Sequence, residues 1–130
     1  MELKSRQVTV QKSAAELCEF LSDVKNFEQL MPENTDKFEV IGENAFVFAL
    51  KGMPEIALEV KEVETPNKVV LGAMSDKLPF TLTGNIADQE AGTSVADLLF
   101  EGQFNAMMAM MIKGPITKFL ETLVGNMESL

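Results

Sequence analysis

Residues 8–33, "VTVQKSAAELCEFLSDVKNFEQLMPE", change their periodicity twice, and those changes set the order of elements for the whole chain. Val8 and Val10 alternate with polar neighbours, as one face of a strand does, and close a first strand around Leu3 to Gln11. Ser13 then stands three residues before Glu16, the spacing of a capping box. In that motif the serine oxygen accepts from the N3 amide while the glutamate reaches back to the cap's own amide. Leu17, Phe20, Leu21 and Val24 follow at i, i+3, i+4 and i+7, one apolar face of an amphipathic helix. Val24, Phe27, Leu30 and Met31 repeat the idea as a second short helix. Pro32 stops it, because its ring keeps the preceding residue out of the α region.

Downstream, from Asp36 to Asn105, the period becomes two. "KFEVIGENAFVFALKG" (37–52) reads as two strands around Gly42-Glu43-Asn44, and "MPEIALEVKEVETPNKVVLGAM" (53–74) as two more, broken at Thr65-Pro66-Asn67. "LPFTLTGNIADQEAGTSVADLLFEGQFN" (78–105) is a third pair, turning near Glu90-Ala91-Gly92. Such short connections suit antiparallel neighbours, since parallel strands need a long crossover. From about Asn105 to Met127 helical spacing returns, with Ile112, Ile116, Phe119, Leu120, Leu123 and Met127 in one stripe. Pro115 should bend or divide this helix, because it offers no N–H and crowds the carbonyl four residues back. The order is therefore strand, two short helices, six strands in hairpins and a long C-terminal helix. This is an α+β chain, read as one domain over 1–130. A six- to seven-strand antiparallel sheet has one face to bury, and the last helix is the element long enough to cover it.

Composition narrows the function. The chain has 130 residues and a net charge of −9, with ten lysines and one arginine against twenty carboxylates. Phosphate backbones are bound by neutralising them, so nucleic acid is a poor partner, and an anionic membrane surface is disfavoured for the protein as a whole. Cys18 is alone and cannot pair within the chain, which fits a reducing, cytoplasmic setting. "MELKSRQVTV" lacks the apolar core of a secretory signal, and no apolar run is long enough for membrane insertion. With no His, imidazole-dependent nucleophile chemistry and His-ligated zinc are both removed, and one cysteine makes no thiolate zinc site. No cofactor is expected. Any acid or base must be Asp, Glu, Lys or Cys.

The element order, "VTVQKSAAELCEFLSD" running into "NFEQLMPE", and "NAMMAMM" opening a final helix together resemble the SRPBCC superfamily. This is the helix-grip fold of START-type lipid-transfer domains, plant pollen-allergen proteins and polyketide cyclases. The resemblance covers nearly the whole chain and is clearest from Val8 to Pro32. It implies a seven-stranded curved sheet wrapped round a long C-terminal helix, with two short helices after the first strand. It also implies an apolar cavity between sheet and helix for lipids, sterols, polyketides or similar molecules. The matching residues are structural: Ser13 and Glu16 cap, Phe20 and Leu21 pack, and Asp23 and Pro32 shape a turn. No catalytic residue carries over, and the lack of His and Tyr departs from branches that use them as acids.

Candidate lining residues come from two sources. Met107, Met108, Met110, Met111 and Ile112 cover about 200° of the helix circumference, wider than one stripe resting on a sheet requires. The plain reading is core on two sides. The functional one is that Met107, Met108 and Met111 border a pliable cavity, where unbranched thioethers adapt to differently shaped guests. A Cu(I) reading of the i, i+3 methionine pairs lacks any supporting His or second Cys. Phe46 with Phe48, Phe80 with Leu82, and Leu98 with Phe100 share strand faces two by two. With Phe104 they wall the same cavity if those faces are concave, and are ordinary core if they are not. Asp97 and Glu101 are four residues apart on one strand face, roughly 13 Å, beyond the reach of a working carboxylate pair. They should point to solvent, as should Glu59 and Lys61, while Cys18 fills core.

Three functions are consistent with this reading. The first is non-enzymatic binding or transport of a small hydrophobic ligand between sheet and helix. The second is a cyclase- or dehydratase-type enzyme using a desolvated Asp, Glu or Lys. The third is an interaction module or homodimer, with the methionine patch exposed.

Overall fold

The computed structural model describes residues 1–74 and 79–130. Leu78, which opens the third strand pair in the sequence reading, lies outside them. The strands are β1 (Glu2–Lys4), β2 (Val8–Val10), β3 (Thr35–Val40), β4 (Ala45–Leu50), β5 (Ile56–Glu64), β6 (Lys68–Ala73), β7 (Phe80–Asp88) and β8 (Ser94–Gly102). The α-helices are α1 (Ala14–Ser22) and α2 (Ala106–Glu128). All pairings are antiparallel, in the order β1-β8-β7-β6-β5-β4-β3, with β2 also on β8. The three hairpins turn where their Gly, Pro and Asn residues stand. In the last of them Gly92 takes φ +74°, which glycine adopts without strain, and Ala91 takes φ 61°.

The sheet has eight strands where seven were expected, because the first strand is broken. Lys4 lies opposite Leu99 and Val8 opposite Ala96, so three residues, Ser5 to Gln7, face two, Leu98 and Asp97. That is a bulge, and Ser5 keeps it satisfied. Its N–H donates to the Leu98 carbonyl at 2.9 Å, and its buried hydroxyl oxygen accepts from the Leu98 N–H at 2.9 Å.

The capping box is formed: the Glu16 N–H donates to Ser13 Oγ, and the Ser13 N–H donates to Glu16 Oε1 at 3.1 Å. The second short helix is a 3₁₀ segment, Val24–Leu30, rather than an α-helix. Its buried side chains, Val24, Phe27 and Leu30, repeat every third residue, the period of a 3₁₀ turn. Pro115 neither ends nor divides α2, which runs unbroken from Ala106 to Glu128. Pro115 and Met111 are both exposed, so the carbonyl deprived of its N–H partner stands on a solvated side of the helix.

Cover of the sheet's inner face is shared. α1 lies over β5 to β8, the 3₁₀ segment sits between α2 and β3–β4, and α2 rests on β1, β2 and β8. α2 also reaches β4, where Phe119 stacks on Phe48 at 5.2 Å. The sheet therefore meets α2 along both sides. Leu17, Leu21, Phe27, Leu30, Leu120, Leu123 and Met127 interlock there with Phe46, Leu58, Val69, Leu71, Leu82 and Leu98.

Candidate functional site

Of the sequence-predicted residues, Phe46, Phe48, Leu82, Leu98 and Phe100 are buried on the sheet's inner face, and Phe80 and Phe104 are partly buried against it. They form two aromatic groups and a centre. Phe46 and Phe48 stack with Phe27, Phe38 and Phe119, at ring separations of 5.2 to 5.9 Å. Phe80, Phe100 and Phe104 stack at 4.8 and 6.1 Å. Leu82 and Leu98 lie in the centre, beside a hollow of about 10 Å³ that Leu21, Phe27, Leu30, Leu123 and Met127 also border. A single water needs roughly 10 to 15 Å³. The interior between sheet and α2 is closed in this conformation, because α1 and the 3₁₀ segment send Leu21, Phe27 and Leu30 into it.

The methionines are elsewhere. Met107, Met110 and Met111 are 74%, 82% and 67% exposed, and only Met108 is half-buried. This corrects their placement on the hollow's border. The buried residues of α2 begin at Ile116, and Ile112 before them is only partly buried against the core. Ile116, Leu120, Leu123 and Met127 stand at i, i+4, i+7 and i+11 and face inward. Met107, Met111, Gly114 and Lys118 share the same spacing on a row about 180° away.

A groove does run along α2. It has a volume of about 1030 Å³ and lies between the helix from Gly114 to Asn126, the loop Met31–Asn34 and the turn Leu50–Met53. Met31, Leu50, Met53, Pro115 and Phe119 supply apolar walls, with Gln29, Thr122 and Asn126 among the polar residues. Its frame is fixed by backbone contacts: the Lys51 N–H donates to the Asn34 carbonyl at 2.8 Å, and Asn126 Nδ2 to the Leu30 carbonyl at 2.8 Å. Except for Met31 and Phe119, which the sequence places only on apolar helix faces, these residues escape an apolar-stripe reading. Yet Pro115, Phe119, Thr122 and Asn126 stand at i, i+4, i+7 and i+11, a helix side made half polar, and that spacing could have marked it. Met108 and Ile112 extend the same side towards the start of the helix.

The charged strand residues face away from this region. Asp97 is on the outer face as its alternation predicts, but it is buried, 9% exposed, and not open to solvent. β8 has neighbours on both sides: Asn85 Nδ2 of β7 donates to Asp97 Oδ1 at 3.2 Å, and Lys4 Nζ of β1 lies 3.7 Å from Oδ2. Glu101 is exposed, and Glu59 pairs with Lys61, whose stem covers Gly72. The buried polar residues among those described are Ser5, Thr83, Ser94 and Asp97, so no Asp, Glu, Lys or Arg points into the closed interior. Cys18 is buried beside Leu17 and Leu21 in the core. No helix among the described residues is long and apolar enough to cross a membrane.

No protein-family model matches the chain, and no curated protein does. Solved structures do match it along nearly its whole length. Norcoclaurine synthase from Thalictrum flavum superposes with a TM-score of 0.76 at 14% identity, over 99% of this chain and 84% of that one. A START superfamily protein from Mycobacterium smegmatis gives 0.70 at 12%, over 98% and 94%. The di-domain ARO/CYC protein BexL of the BE-7585A biosynthetic pathway gives 0.68 at 13%, over 98% of this chain and 46% of that one. An open antiparallel sheet meeting a long C-terminal helix on both sides, with α1 and a 3₁₀ segment after the first strands, is the SRPBCC-type helix-grip fold, and this chain has it.

Proposed function

We propose that this chain binds a small hydrophobic molecule, lipid-, sterol- or polyketide-like, and that the guest lies in the groove along α2 rather than in a preformed interior cavity. The observation that carries this reading is the groove itself, about 1030 Å³ with Met31, Leu50, Met53, Pro115 and Phe119 on its walls. Ligand sites are concave, with apolar walls and polar groups that orient the guest; the groove is concave, and its lining is divided between apolar and polar residues. A norcoclaurine synthase of the same fold binds dopamine and hydroxybenzaldehyde, which supports small-molecule binding as a use of this architecture. Apolar burial at about 25 cal/mol per Å², less the costs of association, would drive the binding. Flexible thioethers on the wall favour tolerance over sharp selectivity. A buried, unpaired Cys18 suits a reducing compartment, so we place the protein in the cytoplasm. Native mass spectrometry with fatty acids, sterols and aromatic dyes tests the reading: one-to-one complexes support it, and no binder across the panel contradicts it.

A second reading rests on the exposure of Met107, Met110 and Met111: the same stretch of α2 could join two copies of the chain. Sedimentation velocity across a concentration series separates the two, since a ligand-binding monomer keeps one sedimentation coefficient. The enzymatic alternative lacks an interior Asp, Glu or Lys among the described residues.

A further inference from the structure

Charge is distributed unevenly around the groove. Residues 102–120 contain Lys113 and Lys118 and no carboxylate, in a chain where carboxylates outnumber bases twenty to eleven. Five basic residues, Lys4, Arg6, Lys37, Lys61 and Lys68, lie within 4.0 Å of a carboxylate. Among the described residues Lys12, Lys25, Lys51, Lys113 and Lys118 have no such partner. Two of these five, Lys51 and Lys118, line the groove, where Glu33 is the one opposing charge among the lining residues. Within the groove the lysines therefore outnumber the carboxylates, against the balance of the chain as a whole. The Lys51 amide is tied to the Asn34 carbonyl, so its side chain springs from a fixed rim. Lys118 stands on α2 one turn before Thr122, whose hydroxyl donates to the Lys118 carbonyl at 2.9 Å.

We propose that the groove selects an amphiphile with an anionic head group, carboxylate or phosphate, which Lys51 and Lys118 hold while the hydrocarbon lies against Met31, Met53 and Phe119. This rests on the groove being the ligand site, and it adds the chemical class of the guest. Ammonium groups suit such a head because each offers three rotatable donors and a point charge. The net charge of −9 repels anions at long range, so discrimination has to come from these local cations.

The test uses the full chain at neutral pH with hexadecanoic acid, hexadecyl phosphate and hexadecanol, each below its aggregation limit, measured by displacement of a neutral fluorescent probe. Both anions should bind at least about tenfold more tightly than the alcohol. In Lys51→Gln/Lys118→Gln that preference should collapse with alcohol binding unchanged, whereas Lys12→Gln/Lys25→Gln should keep it. Alcohol and anions binding equally would overturn the head-group assignment and leave the hydrophobic groove standing. No binding of any of the three would remove both. Binding only to anionic phospholipid vesicles, or a loss of probe displacement caused by self-association, would assign the face to a lipid surface or a second copy and overturn the proposal. Preference for hexadecyl phosphate over hexadecanoic acid, or the reverse, separates a phospholipid-like source from a fatty acid.

Discussion

Leu21 faces Gly84 across the interior, its Cδ1 3.5 Å from where a β-carbon at Gly84 would stand, and it borders the 10 Å³ hollow. This leucine is a plug. Leu21→Ala should cost about 2 to 5 kcal/mol in chemical denaturation and open the hollow to xenon or benzene. Unchanged stability would mean that the site is already loose. Ala91 is a second residue whose backbone decides its effect, since a side chain at φ 61° is strained. Ala91→Gly should raise stability by up to about 1 kcal/mol, read as a higher melting temperature, because the turn conformation it must adopt is open to glycine. Neither residue was legible as such. The sequence marks Leu21 as apolar and on a helix face, but not which void it fills. A turn at Glu90-Ala91-Gly92 is legible without indicating that alanine, as well as glycine, takes the left-handed conformation.

Elements were the most legible scale, because their signals are local. The capping box, the period-two hairpins and their turn residues act over a few positions, and each forms where its spacing places it. Glu16 gives that motif a pH signature. Hydrogen bonding to the Ser13 backbone, then to its hydroxyl, with Lys12 nearby, holds the Glu16 carboxyl below its usual range. A pKa lowered on folding contributes stability above the unfolded pKa, and that contribution is lost as pH falls through the folded value. Glu16→Gln should therefore melt below the native chain at neutral pH, with the gap closing in acid below the ordinary glutamate range. A gap independent of pH would remove charge from the explanation. Two element-scale readings needed correction. Val24, Phe27 and Leu30 continue a helical repeat in the sequence, but their spacing of three is that of the 3₁₀ segment they form. Pro115 is expected to bend or divide α2, and the helix runs undivided through it on a solvated side. Pro115→Ala should restore a backbone hydrogen bond, stabilise by roughly 1 to 3 kcal/mol, add a protected amide at position 115 and slow amide exchange in the turns before it. No slowing would show that the turn before Pro115 is already held by other contacts.

At the scale of the whole molecule, the SRPBCC-type architecture was within reach because hairpin order and a single long helix leave few ways to cover one sheet face. The site was not, for a physical reason. How far the sheet extends beneath α2 depends on strand ends and on the bulge at Ser5, and neither leaves a trace in the helix's own periodicity. Four methionines on a broad arc look the same whether a cavity, a core or solvent faces them, and here solvent faces three. Whether the hollow stays open depends on how α1 and the 3₁₀ segment approach the sheet, which is set by contacts distant in sequence. Methionine nonetheless supplies the means of testing the outcome, since Met31 and Met53 line the groove while Met127 borders the closed interior. Methyl NMR of the chain labelled at methionine, titrated with hexadecanol and hexadecanoic acid, is the most direct measurement. The Met31 and Met53 methyls should shift while Met127 stays in place. A shift of Met127 with the groove methyls unmoved would put the guest in the interior and contradict its placement in the groove.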